Sequence, residues 1–375
     1  NWEALENTLR KVVAQQAIAD VPIGAFLSGG VDSSLITSLL QADSGKPINS
    51  FTISFPDETA FNEAPFAAAV ASHLGTNHTE IAVTASDALN LIPKLPEIYS
   101  EPFGDSSQLP THLVCREARR SGLKVVLSGD GGDELFGGYN RHRMLPILMK
   151  RLSWMPDLFR FGIAQSLESI PLNRPGLELD KLEKLAAAIR AAGSLEEIYA
   201  AVTAIWLVKS MPLKNQSIPD ACTVAEQLML ADTRNYLPND ILVKVDRASM
   251  ASSLETRAPL LDHRVAKIAW SLPLEQKINK TGKLALREIL YKYVPKNLID
   301  RPKAGFAMPI GGWLRGPLKQ WANDLLDPHL LNCEGVLNTQ HVRRIWEEHI
   351  EGTNDHTSKL WTVLMWQAWL ERWRM

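Results

Sequence analysis

Two glycine-rich stretches concentrate residue types suited to polyphosphate. The first is Ile23-Gly24-Ala25-Phe26-Leu27-Ser28-Gly29-Gly30-Val31-Asp32-Ser33-Ser34. An apolar run of strand character meets Ser-Gly-Gly, and a helical pattern follows with Leu35, Ile36, Leu39 and Leu40. Glycines at such a junction let the backbone approach a ligand, and the first-turn N–H groups point at it. An anion such as phosphate is the natural guest, and the hydroxyls of Ser28, Ser33 and Ser34 add donors. No lysine follows the glycines, so the stretch is not an ordinary P-loop. The second stretch, Leu127-Ser128-Gly129-Asp130-Gly131-Gly132-Asp133-Glu134, again runs from an apolar strand into glycines, now with three carboxylates. It is not a dinucleotide fingerprint, because Glu134 stands where the third glycine belongs. Asp32 and Asp133 would each repel a polyphosphate unless a cation lay between, so the pair implies Mg²⁺ held by carboxylate and phosphate oxygens. A helix N-cap accounts for Asp133 alone, but not for both loops together.

The elements that must position these loops are legible from periodicity. Residues 3–18 carry Leu5, Leu9, Val12, Val13 and Ile18 at helical spacing. Strands are expected at 23–27, 46–55, 78–83 and 124–127, with helices at 62–74, 86–99 and 110–121 between them. Strands alternating with helices predict an α/β fold: a parallel sheet of about five strands with helices on both faces. In such a sheet ligands lie beyond the C-terminal strand ends where the strand order reverses, which brings both loops to one crevice. Beyond residue 135 strand signals nearly vanish, and 141–375 read as mostly helical. The expected division is an α/β core over 1–145 and a mostly helical part over 146–375, packed on the core and completing the site. Trp361, Trp366, Trp369 and Trp373 have the spacing of one buried helix face.

Composition narrows the class. The chain has 375 residues, 45% hydrophobic and 22% charged, with a formal charge of −2. These are ordinary values for a soluble globular protein and give no electrostatic reason to expect nucleic acid. No apolar run reaches the roughly 18 residues of a membrane span, and no signal-peptide pattern is present. Cys115, Cys222 and Cys333 are far apart and form no Cys-x-x-Cys, which argues against zinc or a disulfide framework and fits a reducing cytoplasm.

The first loop resembles the Ser-Gly-Gly-x-Asp-Ser-Ser pyrophosphate loop of ATP pyrophosphatases. Both loops together, followed by Asp246-Arg247-Ala248-Ser249-Met250-Ala251, Leu254-Glu255-Thr256-Arg257-Ala258-Pro259-Leu260-Leu261-Asp262, Lys283-Leu284-Ala285-Leu286-Arg287 and Arg301-Pro302-Lys303-Ala304-Gly305-Phe306, resemble the synthetase domain of glutamine-dependent asparagine synthetases. β-Lactam-forming synthetases are related. The resemblance spans nearly the whole chain and implies an adenine nucleotide alpha hydrolase-like core. It also implies a ligase that adenylates a carboxylate with ATP and Mg²⁺, then forms the amide with ammonia. Ammonia would come from a glutaminase domain of the same full-length protein, whose nucleophilic cysteine Asn1 does not supply. The resemblance is compatible with a homodimer.

By the same resemblance, Ser28, Gly29, Gly30, Asp32, Ser33 and Ser34 hold pyrophosphate, and Leu27, Ile53, Ser128 and Gly129 contact adenosine through main-chain groups. Lys303 matches the family's catalytic lysine. Asp130 stands where bacterial asparagine synthetases carry glutamate, and is expected to accept a proton from ammonia or orient it. Glu255, Arg257 and Asp262 read as a structural ion-pair set. Asp240, Lys244, Asp246 and Arg247 recur at helical spacing and either line the substrate end or pair within their helix. The loop 101–108 has Phe103, Asp105, Ser106 and Ser107 where some asparagine synthetases have threonine and arginine. Aspartate is therefore the first expectation for the acceptor and a uronic acid the rival. A tRNA-modifying enzyme disagrees with the neutral charge, and a catalytically silent module with intact Asp32, Asp133 and Lys303.

Overall fold

The structure, a computed structural model, describes residues 2–55, 62–169, 179–206, 223–300 and 308–373. The alternating pattern of the first part folds as α1 (Trp2–Gln16), β1 (Ile23–Phe26), α2 (Val31–Ala42), β2 (Asn49–Ser54), α3 (Ala64–Leu74), β3 (Asn77–Ala82), α4 (Gln108–Arg120), β4 (Val125–Leu127) and α5 (Gly132–Phe136). Later in the chain come α6 (Leu242–Ala251), β5 (Glu255–Arg257), α7 (His263–Ser271) and α8 (Leu284–Leu290). The strands form one sheet in the order β3-β2-β1-β4-β5, with every neighbouring pair parallel. The chain steps outward from β1 to β3, then crosses back to place β4 on the other side of β1. The strand order therefore reverses between β1 and β4.

The fifth strand comes from a region expected to be helical. Glu255–Arg257 is three residues long and polar, yet pairs with β4 in the register Val125↔Glu255, Val126↔Thr256 and Leu127↔Arg257. Arg257 fixes it: its side chain reaches Glu255 at 2.6 Å, the carbonyl of Gln16 at the end of α1 at 2.6 Å and that of Ile18 just beyond at 2.9 Å.

Two compact units divide the chain: residues 1–101, 105–139 and 229–309 in one, and 102–104, 140–228 and 310–375 in the other. The described residues of 229–309, expected within the helical part, thus group with the sheet. The first unit has a core in which Leu5, Leu9 and Val12 of α1, Leu35, Ile36 and Leu39 of α2, Val265 of α7 and Leu286 of α8 meet Ala25 and Leu27. Burying a side chain of this size contributes roughly 1.5–3 kcal/mol, which is why the helical apolar spacing decides where these helices lie. The second unit is helical among its described residues. Ala164, Ala186 and Ile189 form a small core, and Lys359 pairs with Glu183 at 2.6 Å. Of the C-terminal tryptophans only Trp361 is fully enclosed. Trp366 and Trp369 are half-buried and stack on each other, and Trp373 is exposed, so the four do not share one buried face. Among the described residues no helix is long and apolar enough to cross a membrane.

His112 of α4 is buried where α4 meets α6. Burial, then Arg116 and Lys94, push its imidazole down to about 4. An unfolded histidine titrates near 6.5, so the unfolded chain binds the extra proton first as pH falls, and stability is lost from about pH 6.5 down through about 4. Urea unfolding of wild type and His112→Gln at pH 6.5, 5.5 and 4.5 should show the wild type losing on the order of 2 kcal/mol more than the variant across this range. Parallel pH profiles would contradict the assignment.

Candidate active site

The loops that follow β1 and β4 meet at the reversal point. The ladder between β1 and β2 closes with the Leu27 N–H donating to the Phe51 carbonyl at 2.9 Å. Beyond it the first loop is tied by its serines: Ser28 and Ser33 share a hydroxyl–hydroxyl bond of 3.0 Å, and the Gly30 N–H donates to Ser28 Oγ at 3.3 Å. Gly30 is the extended N-cap of α2 and supplies no side-chain cap. An anion placed here would face the first-turn N–H groups of this twelve-residue helix. Ser34 is fully buried, and its hydroxyl has no hydrogen-bond partner.

Close approach of the two loops requires glycine at two positions. A Cβ on Gly129 would stand 2.7 Å from the Ser33 nitrogen and 2.9 Å from the Asp32 carbonyl carbon. One on Gly132 would fall onto the Asp32 carboxyl group. Ile53 lies on the same side of the sheet opening. Phe51 turns its carbonyl toward β1, so by the two-residue period of a strand Ile53 turns its main-chain groups the same way, past the end of β1. Its side chain and that of Leu27 are buried.

Asp32 and Asp133 converge on one cation, and in this structure it is Lys283. The ammonium contacts Asp32 and lies 2.8 Å from Asp133 Oδ1. Burial would lower the lysine pKa, but Asp133 and Asp32 more than reverse this and keep it charged. Lys283 sits at the N-terminus of α8 with φ +54°, a left-handed conformation that costs a non-glycine residue roughly 1 kcal/mol. Its N–H donates to the Phe136 carbonyl at 3.1 Å. Strain of this kind at a buried charge is a mark of a functional position. Two carboxylates within reach of one positive group also fit Mg²⁺, which takes one or two protein carboxylates and completes its shell with phosphate and water.

Behind the second loop lies a further charged cluster. Burial pushes the Asp130 carboxyl up, opposed by Ser128 and Lys244 and reinforced by Asp133. Lys244 of α6 pairs with Asp105 at 2.7 Å, and Ser107 donates to both oxygens of the Asp105 carboxylate. Asp240, at the end of a π-helical stretch Asp232–Ile241, is pushed up to about 7 by burial and then by Asp105, with Lys244 opposing. Glu134 accepts from the Tyr139 hydroxyl at 2.6 Å and is pushed up to about 7, chiefly by burial.

The structure brings together Ser28, Gly29, Gly30, Asp32, Ser33 and Ser34 with Ser128, Gly129, Asp130 and Asp133. Lys303 and the rest of 301–307 lie outside the described residues. The expected ion-pair set separates: Glu255 pairs with Arg257, whereas Asp262 pairs with Arg264 at 2.8 Å, which holds its carboxyl down at about 2. The role of Lys283 was missed. Its signals are Gly282-Lys283 immediately before an apolar helix and its place in the resembling segment Lys283–Arg287, and nothing local says that it meets carboxylates 251 and 150 positions earlier.

Two substitutions test this arrangement. Lys283→Met leaves two buried carboxylates facing each other and should unfold about 3–5 kcal/mol more easily without Mg²⁺. Added Mg²⁺ should raise its melting temperature more than that of wild type. An unchanged melting temperature would contradict the pairing. Gly129→Ala should weaken MgATP binding by about tenfold or more by forcing the loops apart, read by calorimetry. Wild-type affinity would show that the loops need not touch.

The sequence model of the asparagine synthase family matches residues 4–371. A putative glutamine-hydrolysing asparagine synthetase of Mycobacterium tuberculosis is 33% identical, over 98% of this chain and 57% of that protein. The glutamine-hydrolysing asparagine synthetase 1 of Bacillus subtilis is 30% identical over 94% of this chain and 56% of its own length. A putative asparagine synthetase of Methanocaldococcus jannaschii is 35% identical over 62% of this chain. The chain spans little more than half the length of the first two relatives.

Proposed function

The chain belongs to the asparagine synthase family, and from that premise we propose that it is an ATP-dependent, AMP-forming amide synthetase acting on a carboxylate. The observation that carries the reading is the meeting of two glycine loops at the strand-order reversal, with Asp32 and Asp133 sharing one cation. The α2 N-terminus and the serines of the first loop take the β- and γ-phosphates. Main-chain groups of Leu27, Ile53, Ser128 and Gly129 take adenosine at the open strand ends, through backbone groups beyond the last sheet bonds, which are Leu27 N–H to the Phe51 carbonyl and Ser128 N–H to the Arg257 carbonyl. Asp32 and Asp133 would hold Mg²⁺, which when bound neutralises phosphate charge.

In the first step a carboxylate oxygen of the acceptor attacks the α-phosphorus, the bond to the β-phosphate bridging oxygen breaks, and pyrophosphate leaves. Lys283, already inside the carboxylate pair, and Lys303 supply fixed positive charge to the departing oxygens. In the second step ammonia forms a bond to the acyl carbon, the bond from that carbon to the AMP oxygen breaks, and the nitrogen loses a proton. Asp130 accepts it. A carboxyl held above its ordinary pKa by burial is a better proton acceptor near neutral pH. The relatives' names support aspartate as the acceptor, giving asparagine, with ammonia from glutamine hydrolysis in a partner glutaminase domain. A cytoplasmic setting agrees with free Cys115 and Cys333.

With aspartate, ATP, Mg²⁺ and ammonium chloride, the products expected are asparagine, AMP and pyrophosphate. ADP would contradict the reading. Asp130→Asn should retain ATP–pyrophosphate exchange while slowing amide formation by on the order of 10²-fold; equal loss of both activities would remove the proton-acceptor role. Lys303→Ala should cost about 10²–10³ in turnover.

A further inference from the structure

The sheet ends on one side in a strand with an open ladder. β3 pairs in parallel with β2, and among the described residues nothing pairs with its other edge. The Asn77 N–H donates to the Ile48 carbonyl at 2.8 Å and the Val83 N–H to the Ser54 carbonyl at 2.9 Å. By the two-residue period of a strand, the odd-numbered residues turn their main-chain groups toward β2. His78, Glu80 and Ala82 therefore turn theirs outward. Asn77, Thr79, Glu80 and Ala82 are exposed, and His78 and Ile81 are half-buried, so the edge is open along its length. A groove of about 400 Å³ runs beside it, lined by Thr79, Ile81, Leu113, Arg116 and Arg120 among others.

An edge of this kind is a template for a further strand, and chains that keep it single commonly break it with proline, lysine or a bulge. β3 has neither proline nor lysine, and its register against β2 is unbroken. Its one carboxylate is Glu80, and the block that Glu80 imposes is selective. Antiparallel pairing of two copies must set outward-turned residues opposite one another, because these carry the open donors and acceptors on both strands. Two registers do this over five residues of each strand. Centring on Glu80 sets that carboxylate against its own copy, and like charges directly opposite are destabilising. Centring on Thr79 sets Thr79 against Thr79, His78 against Glu80 and Asn77 against Ile81. The threonine pair is a favourable cross-strand contact, and no carboxylate meets another.

We propose that two copies of this chain associate through β3, antiparallel about Thr79, so that their two five-stranded sheets continue as one. His78 of each copy exchanges both main-chain hydrogen bonds with Glu80 of the other. A strand pair of this length covers less than a standard interface, which makes the dimer weak and concentration-dependent. β3 stands two strands away from the crevice between β1 and β4, so association leaves the reacting groups untouched.

Sedimentation velocity of the 375-residue chain over about 1–200 µM should show monomer giving way to dimer. Glu80→Pro removes an outward N–H and spares every bond to β2. It should weaken association by about tenfold or more, with circular dichroism confirming a folded chain. Thr79→Cys reads the register. In a pair centred on Thr79 the two Cα atoms stand about 4.5 Å apart, within disulfide reach, and mild oxidation at high concentration should join most chains. Ala82→Cys should not cross-link, because its two copies lie about 20 Å apart along the strands. Wild type, with Cys115, Cys222 and Cys333, sets the background. A monomer throughout the range, undiminished association of a folded Glu80→Pro, or equal cross-linking by Ala82→Cys and Thr79→Cys overturns the assignment.

Discussion

Two carboxylates from different loops cannot share a buried crevice without a positive charge between them, and the architecture of the first unit is arranged around that requirement. Asp32 follows β1 and Asp133 follows β4, and these strands are neighbours only because the chain crosses back over β1 after β3. Lys283 enters from a third place, the start of α8, held there by a left-handed backbone and a bond to the Phe136 carbonyl. Gly129 and Gly132 allow the approach. Substitution of either would place a side-chain atom inside the neighbouring loop. The charge balance that stabilises the crevice is also the one a magnesium-bound polyphosphate would use, so stability and ligand binding draw on one set of residues.

A second consequence concerns where the strain lies. The core of α1, α2, α7 and α8 against β1 is conventional apolar packing, whereas three departures from local preference lie near the chemistry. Lys283 has positive φ, Asp240 ends a π-helical stretch, and Gly30 leaves the start of α2 without a side-chain cap. Each is locally unfavourable, and each is held by neighbours that the core fixes. Residues that depart from local preference and are nonetheless buried mark the site better than any single motif does.

Much of this was legible before the fold was known, for reasons that differ between elements. β1 and β4 are apolar runs closed by turn residues, as a buried parallel strand is commonly written, while β2 alternates Phe51 and Ile53 with Ser50, Thr52 and Ser54. The two loops were legible because glycine, serine and carboxylate at a strand–helix junction have few uses other than anion or metal binding. β5 was not legible: Glu255–Arg257 is short, polar and at the sheet edge, so it carries neither an apolar run nor alternation. The partner of Lys283 was hidden because ion pairs over such separations leave no local pattern. Asp105 was noticed only as a departure in a loop, and Lys244 only as a charge at helical spacing. Their union depends on α4 packing against α6, which periodicity alone does not specify. Asp262 looked like a partner for Arg257 from sequence proximity, yet Arg264 two residues on captures it at the N-terminus of α7.

The central claim is that the crevice between β1 and β4 directs a carboxylate oxygen onto the α-phosphorus of ATP. Turnover with an acceptor carrying ¹⁸O in its carboxylate, followed by mass spectrometry of the nucleotide and phosphate products, tests this directly. The account predicts one ¹⁸O in AMP and none in pyrophosphate. Label in inorganic phosphate, with ADP as the nucleotide, would contradict it.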